Sequence, residues 1–268
     1  MLCFPHAKIN VGLKVLAKRT DEFHEIAGIF YPVPVYDLLE AIPSDKLTIV
    51  ISGLAIPGSV DENMCIRAWK LLKAKYGIGP VRFHLHKQIP TGAGLGGGSS
   101  DAVFTIRLLG AMFCLDLSHS DLSALSLSLG SDCPFFLQEK PARVSGRGEI
   151  LAPSGLDLSG YFFVLVCPSI HISTAEAYAR MDELGIDSTA EETFDVADMK
   201  SWKNGMKNDF ERFAFEKYPA LRSIKLDLYE MGAIYSSMSG SGSAIFGLFA
   251  HMPVPGKFEG CKVFTGQF

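Results

Sequence analysis

Pro90-Thr91-Gly92-Ala93-Gly94-Leu95-Gly96-Gly97-Gly98-Ser99-Ser100-Asp101-Ala102 lies between a segment patterned as a strand and one patterned as a helix. Five of the seven residues from 92 to 98 are glycine, the residue that adopts left-handed dihedrals and lets backbone approach a ligand closely. So dense a run ahead of a helix costs chain entropy unless the backbone is used. A flexible turn is the plain reading. The functional one is that the loop amides converge on an anion, joined by the free N–H groups and positive dipole end of a helix beginning near Ser99, an arrangement suited to a di- or triphosphate.

Three phosphate-binding patterns compete for this stretch. A Walker loop ends in Gly-Lys-Ser/Thr, and here Gly98 is followed by Ser99, which excludes it. Gly92, Gly94 and Gly97 match G-x-G-x-x-G, but a dinucleotide fold wants a buried parallel strand before the loop and an acidic residue ending the next strand. The preceding Arg82-Phe83-His84-Leu85-His86-Lys87 is polar at alternate positions, Pro90 interrupts it, and Leu115-Asp116-Leu117-Ser118 after the helix leads into another helix. The dinucleotide match is therefore weak.

Working outward, residues 7–13 alternate strictly, with Ala7, Ile9, Val11 and Leu13 on one face and Lys8, Asn10 and Gly12 on the other. This is the period of a half-buried strand. Residues 47–51 and 81–86 read as further strands, and the first half as β-rich and largely antiparallel. Helices are expected over 62–76 (capped by Asp61, ended by Gly77), from 99 with Ala102, Ile106, Leu109 and Phe113 on one face, and over 121–129, stopped by Gly130. In the second half, 161–167 is an apolar run of strand length. Ser173 and Glu176 have capping-box spacing ahead of a helix to Leu184, closed by Gly185. Residues 186–200 are acidic and weakly patterned, a loop or surface helix. A helix over 218–231 and strands over 233–238 and 244–249 follow, the strands flanking Ser239-Gly240-Ser241-Gly242-Ser243. The pattern predicts an α+β fold in two lobes, divided between 150 and 160.

Composition narrows the class. Of 268 residues, 48% are hydrophobic and 20% charged, as in ordinary globular proteins. The 25 Lys plus Arg against 29 Asp plus Glu leave a net charge of −4 without a basic tract, which argues against nucleic acid as a partner. Six cysteines without any C-x-x-C pair read as reduced core thiols. The first residues lack the basic and apolar segments of a signal peptide, and no apolar run approaches membrane-spanning length, so a cytoplasmic location is expected. Nothing implies an obligatory protein partner.

With the Walker and dinucleotide contexts set aside, what remains is P-x-x-x-G-L-G-G-G-S-S-x-A. It resembles the ATP loop of the superfamily of galactokinase, homoserine kinase, mevalonate kinase and phosphomevalonate kinase. The resemblance implies a two-lobed GHMP kinase fold. A ribosomal-protein-S5-like N-terminal lobe over 1–155 would bind ATP, and a ferredoxin-like C-terminal lobe over 156–268 would complete the substrate cleft. Further segments resemble the members acting on 4-diphosphocytidyl-2-C-methyl-D-erythritol in the non-mevalonate isoprenoid route: AKINVGL at 7–13, RTDEFHE at 19–25, GSDCPFF at 130–136, GRGE at 146–149, STAEAY at 173–178, NDFE at 208–211 and SGSGS at 239–243. Glu22-Phe23-His24 departs from the usual Gly-Tyr-His, and Asp101 stands where Asn is frequent. Phe23 keeps the aromatic face and loses a phenol hydrogen bond.

The resemblance assigns roles residue by residue, each beside a plainer one. Asp132, by pattern a turn aspartate, is implied to take the proton of the substrate hydroxyl. Lys8, by pattern on a strand face that is usually solvated but that, shared with Asn10 and Gly12, permits a cleft wall, is implied to lie near Asp132 and the γ-phosphate and to offset developing charge. Asn10 is implied to hydrogen-bond substrate. Phe23 and His24 resemble a cytosine-reading pair, with Tyr178 the opposite wall of an aromatic sandwich; His24 alone reads as a surface or capping histidine. Thr174 is a substrate contact or, with Ser173, a helix cap. Residues Pro90, Thr91, Gly92, Ala93, Gly94, Leu95, Gly96, Gly97, Gly98, Ser99 and Ser100 are implied to bind ATP, with the two serine hydroxyls on phosphate or on the Mg2+ that accompanies ATP. Asn63 is implied to contact adenine, beside a capping alternative. The 239–243 segment is a hairpin turn or closes over substrate or nucleotide phosphates. A homoserine or mevalonate kinase, or a non-catalytic ligand sensor on the same fold, is the alternative.

Overall fold

A computed structural model describes residues 1–185, 196, 198–254 and 258–268. Two compact units emerge, each discontinuous in sequence: Met1–Ala7, Val35–Thr91 and Gly96–Glu139 form one, and Lys8–Pro34, Gly92–Leu95 and Lys140–Phe268 the other.

The first unit holds a four-stranded sheet in the order Leu2–Cys3, Leu38–Pro43, Val81–Lys87, Thr48–Gly53. The antiparallel expectation fails at one place. Thr48–Gly53 and Val81–Lys87 run parallel, because helix Met64–Tyr76 lies between them in the chain and supplies the crossover that parallel neighbours need. Along Val81–Lys87 burial alternates, with Val81, Phe83, Leu85 and Lys87 on the buried face. Helices Met64–Tyr76, Gly97–Met112 and His119–Leu129 complete the unit.

Three helix starts differ from expectation. Met64–Tyr76 is capped by Asn63, whose side chain accepts from the Cys65 N–H at 2.9 Å. Asp61 instead belongs to a preceding short turn and pairs with Lys70. Gly97–Met112 begins two residues before Ser99, since Gly96, with φ of 69°, supplies a left-handed N-cap that other residues resist. His119–Leu129 starts from Ser118, and Asp121 is its capping-box partner rather than its first residue. Gly77 and Gly130 end their helices as the sequence predicts.

In the second unit one sheet runs His6–Lys18, His24–Tyr36, Ala142–Ser145, Ile150–Pro153, and another Tyr235–Met238, Ile245–Phe249, Phe162–Pro168, Cys261–Gln267. Helices Phe210–Lys217 and Pro219–Glu230 bury Phe210, Phe213, Leu221, Ile224 and Leu228 at helical spacing, in one core with Val164, Val166, Met181 and Ile245. Helix Thr174–Leu184 starts from Ser173, which accepts from the Glu176 N–H. The Glu176 carboxylate goes to Lys217 rather than back to the cap. Among the described cysteines Cys65, Cys133 and Cys167 are buried free thiols, while Cys114 is exposed, against the expectation of a core thiol. Most of the 186–200 segment lies outside the described residues; its end, Met199–Ser201, is a short helical turn. No helix of the described residues is long and apolar enough to cross a membrane.

Candidate active site

In the first unit the end of the glycine stretch is the first turn of helix Gly97–Met112. The Ser100 N–H bonds the Gly96 carbonyl, and Ser100 Oγ is buried with no hydrogen-bond partner. Ser99 faces the Gly130-Ser131-Asp132-Cys133 turn, where its hydroxyl hydrogen-bonds the Cys133 thiol. Burial is the main reason that thiol is pushed up to about 11. Asp132 precedes the short helix Cys133–Leu137 and its side chain makes no capping bond there. Helix start and aspartate motif thus meet through Ser99 and Cys133, and the turn gives Asp132 no capping duty. Asn63 has its side-chain oxygen engaged as the helix cap.

Beside this turn lies a group that the sequence reading passed over. Lys87 Nζ donates to Asp37 Oδ2 at 2.6 Å and to Asp101 Oδ2 at 2.6 Å, the three side chains being 1%, 0% and 3% exposed. Burial works against the ammonium, and the two carboxylates outweigh it, holding Lys87 above its ordinary value. Burial, with Asp37 adding to it, pushes Asp101 up to about 7 against the pull of Lys87. The signal was present: in the alternation of 81–87, Lys87 falls on the apolar face.

In the second unit the strand face shared by Lys8 and Asn10 is buried, which sets aside the plain reading of a solvated face. Lys8 is 3% and Asn10 1% exposed, because strand His6–Lys18 is covered on both faces over its first eight residues. Lys8 Nζ donates to Asn10 Oδ1 at 2.6 Å and sits 4.4 Å from the Phe30 ring centroid. Its backbone N–H bonds the Leu95 carbonyl at 2.9 Å, tying the strand to the glycine stretch. The Asn10 side-chain oxygen is therefore engaged within the protein. Ser239 closes the arrangement. Its hydroxyl donates to the Gly94 carbonyl at 2.8 Å and accepts from the Asn10 N–H at 3.2 Å. Gly94 is glycine by necessity: φ is +76°, and a Cβ would stand 1.9 Å from the Ser239 carbonyl oxygen.

The 208–211 motif, quoted in the sequence without a role, acquires one here. Asn208 donates to the Met238 and Gly240 carbonyls at 2.7 and 2.8 Å and accepts from the Phe210 N–H at 3.0 Å. Glu211 accepts from the Met238 N–H and the Ser237 hydroxyl. Asp209 accepts from the Val15 N–H at 2.8 Å. One short segment thus clasps both the strand of Lys8 and Asn10 and the root of the 239–243 loop.

Two of the aromatic residues expected to bind substrate are in contact. His24 is buried and stacks on Tyr178, ring centroids 4.7 Å apart and 20° between planes, and its Nε2–H donates to Asp182 Oδ1 at 2.7 Å. Hydrogen bonds from His24 and Lys18 hold Asp182 below its ordinary value. Phe23 is half exposed, with the Arg147 guanidinium 4.5 Å from its ring centroid. Arg147 is a second residue that sequence reasoning left without a role. Thr174 does not cap its helix; its hydroxyl lies 3.3 Å from that of Ser241, on the 239–243 loop.

The residues present fit a polyphosphate. In the first unit the start of helix Gly97–Met112, capped by Gly96 with φ of 69°, offers N–H groups to an anion, close to the buried Ser100 hydroxyl, which has no hydrogen-bond partner. Among the described residues no group of three or more His, Cys, Asp or Glu side chains is placed to hold a metal ion.

The profile of the GHMP kinases N terminal domain matches residues 63–140, and that of the GHMP kinases C terminal matches 190–253. The class is thus that of the GHMP kinases. A 4-diphosphocytidyl-2-C-methyl-D-erythritol kinase of Parabacteroides distasonis is 42% identical over 270 residues, covering 100% of this chain and 99% of that protein. A crystal structure of a 4-(cytidine 5'-diphospho)-2C-methyl-D-erythritol kinase matches with a TM-score of 0.78 at 32% identity, over 92% of this chain and 90% of that one. Methanococcus jannaschii mevalonate kinase, at 14% identity and a TM-score of 0.72 over 99% of this chain and 97% of its own, shares the fold. The chain belongs to the 4-diphosphocytidyl-2-C-methyl-D-erythritol kinase family of the GHMP kinases.

Proposed function

We propose that the chain transfers the γ-phosphoryl group of ATP to the 2-hydroxyl of 4-diphosphocytidyl-2-C-methyl-D-erythritol, in the cytoplasm and with Mg2+ brought by the nucleotide. The observation that carries this reading is the buried Lys8 ammonium, on the strand that bonds the glycine stretch through Leu95. An ammonium held in a buried, low-dielectric setting acts more strongly on the charge of a transferred phosphoryl group than one in water.

Phosphoryl transfer asks for positioning and charge stabilisation rather than covalent chemistry. In this reading Lys8 stabilises charge on the transferred group, and Asp132, unused as a cap, takes the hydroxyl proton. The glycine stretch from Pro90 to Ser100 binds the phosphates through its amides, and Asn63 borders adenine. Asn10, Phe23, His24, Tyr178 and Thr174 bind the cytidine-bearing substrate, Asn10 also accepting from Lys8. Residues 1–155 serve as the ATP lobe and 156–268 as the lobe completing the substrate site. The test is an ADP-release assay with Mg-ATP and, separately, 4-diphosphocytidyl-2-C-methyl-D-erythritol, mevalonate and homoserine. Release dependent on the first alone supports the reading, and release with mevalonate or homoserine instead overturns it.

A further inference from the structure

The Lys87, Asp37 and Asp101 cluster touches both ends of the glycine stretch. Asp37 Oδ2 holds Lys87, while Asp37 Oδ1 accepts from the N–H groups of Gln88 at 2.6 Å and Ile89 at 2.9 Å. The chain is thus fixed as it leaves the strand, one residue before Pro90. On the far side Asp101 grips the same ammonium from the second turn of helix Gly97–Met112. Gly97 seats the helix start on that pair: a Cβ there would lie 3.0 Å from Lys87 Nζ and 2.9 Å from Ile89 Cγ2. The Lys87 carbonyl in turn accepts from the Leu54 N–H at 2.8 Å, against Gly53, where a Cβ would come within 2.3 Å of that oxygen.

Stability does not account for such an arrangement. Buried ionic groups are often replaceable by apolar side chains of similar volume without loss. Here two buried acidic groups share one buried ammonium. What directional bonds from one ammonium add, and an apolar trio lacks, is a fixed distance between Ile89 and Gly97.

We propose that Lys87, clamped between Asp37 and Asp101, is a positioning device that fixes the two ends of the ATP-binding glycine stretch relative to each other, and so sets affinity for ATP rather than for the alcohol. The inference rests on the kinase reading above. If loosening leaves the stretch correctly placed about a tenth of the time, the apparent Kd for ATP rises about tenfold, because affinity scales with the competent fraction.

The test uses the full chain in four forms: wild type, Asp101→Ala, Asp101→Asn and Gly97→Ala. ATP binding is measured by calorimetry with Mg2+ and no alcohol, alongside KM for each substrate and circular dichroism. Asp101→Ala leaves Lys87 its bond to Asp37, and Gly97→Ala moves the helix start without changing charge. Both should weaken ATP binding about tenfold and leave KM for the alcohol within about twofold. Asp101→Asn, whose amide oxygen still accepts from Lys87, should restore affinity to within about threefold of wild type. A folded Asp101→Ala or Gly97→Ala with unchanged ATP affinity overturns the inference, as does an equal rise in both KM values. If Asp101→Ala does not fold, Asp101→Leu, which keeps the volume without an acceptor for Lys87, takes its place with the same expected loss. A wild-type chain that binds no ATP overturns the kinase reading and this inference with it, whereas wild-type binding with unaffected variants overturns the inference only.

Discussion

Replacing Asn208 by Ala tests whether the 208–211 segment is the clasp of the 239–243 loop. The substitution removes both donors to the Met238 and Gly240 carbonyls and the acceptor for the Phe210 N–H. All four residues are buried, so water does not replace the lost partners freely. A buried polar group left unsatisfied costs roughly 1–3 kcal/mol. The Met238 carbonyl keeps a bond from the Ser237 hydroxyl at 3.4 Å, so the loss comes chiefly from one carbonyl and one N–H, about 3–5 kcal/mol as an upper figure. For a chain of this size that is a fall in Tm of about 6–12 °C. The helix 210–217 begins beside the lost bond and the loop root at Met238 sits on it, so KM for the alcohol should rise as well. Thermal unfolding followed by circular dichroism, with initial rates on the same preparations, measures both. A Tm within about 2 °C of wild type together with an unchanged KM would mean that the clasp carries none of the weight assigned to it.

Lys8→Met and Asp132→Asn should each lower kcat by about a hundredfold or more while unfolding like wild type; near-normal rates in either variant remove that residue from the chemistry. Phe23→Ala and Tyr178→Ala should raise KM for the cytidylylated substrate and leave that for ATP unchanged, and steady-state kinetics with each substrate varied will show an equal effect on both if the assignment is mistaken. Asp101→Asn should flatten the stability–pH curve. Asp101 is raised in the folded state to about 7, so the fold holds a proton that the unfolded chain releases above the ordinary carboxylate range. That contribution is complete below this range and is lost as pH rises through about 7. Tm measured from pH 5 to 8 should therefore fall more steeply in wild type than in the variant, and parallel curves contradict the assignment.

Local signals were the legible ones. Alternation in 7–13, the glycines at 77 and 130 and the capping spacing at 173–176 each report chemistry within a few residues, and the elements they predict are present. Strand His24–Tyr36 escaped because Pro32 and Pro34 read as breakers. Strand Cys261–Gln267 escaped because it lies at a sheet edge with its residues only half buried, so its alternation is faint. Two neighbouring polar residues, Asp61 and Asn63, were equally good caps on sequence, and only geometry chose between them.

The site was legible as motifs and not as contacts. The pairs that build the site lie far apart in the chain: Asn10 meets Ser239 across 229 residues, and Lys87 meets Asp37 across 50. His24 stacks on Tyr178 and bonds Asp182, 158 residues on, contacts that no local pattern announces. Long-range pairs of this kind leave no periodicity. Lys87 alone was within reach, through an alternation that set a lysine among Val81, Phe83 and Leu85, and it was passed over because a lysine at a strand end usually snorkels to water.

The most direct measurement incubates the protein with Mg-ATP and 4-diphosphocytidyl-2-C-methyl-D-erythritol and identifies the product by mass and phosphorus NMR. The account predicts one added phosphate, a monoester on the 2-hydroxyl, formed in step with ADP. No added phosphate, or one carried on another hydroxyl, contradicts it.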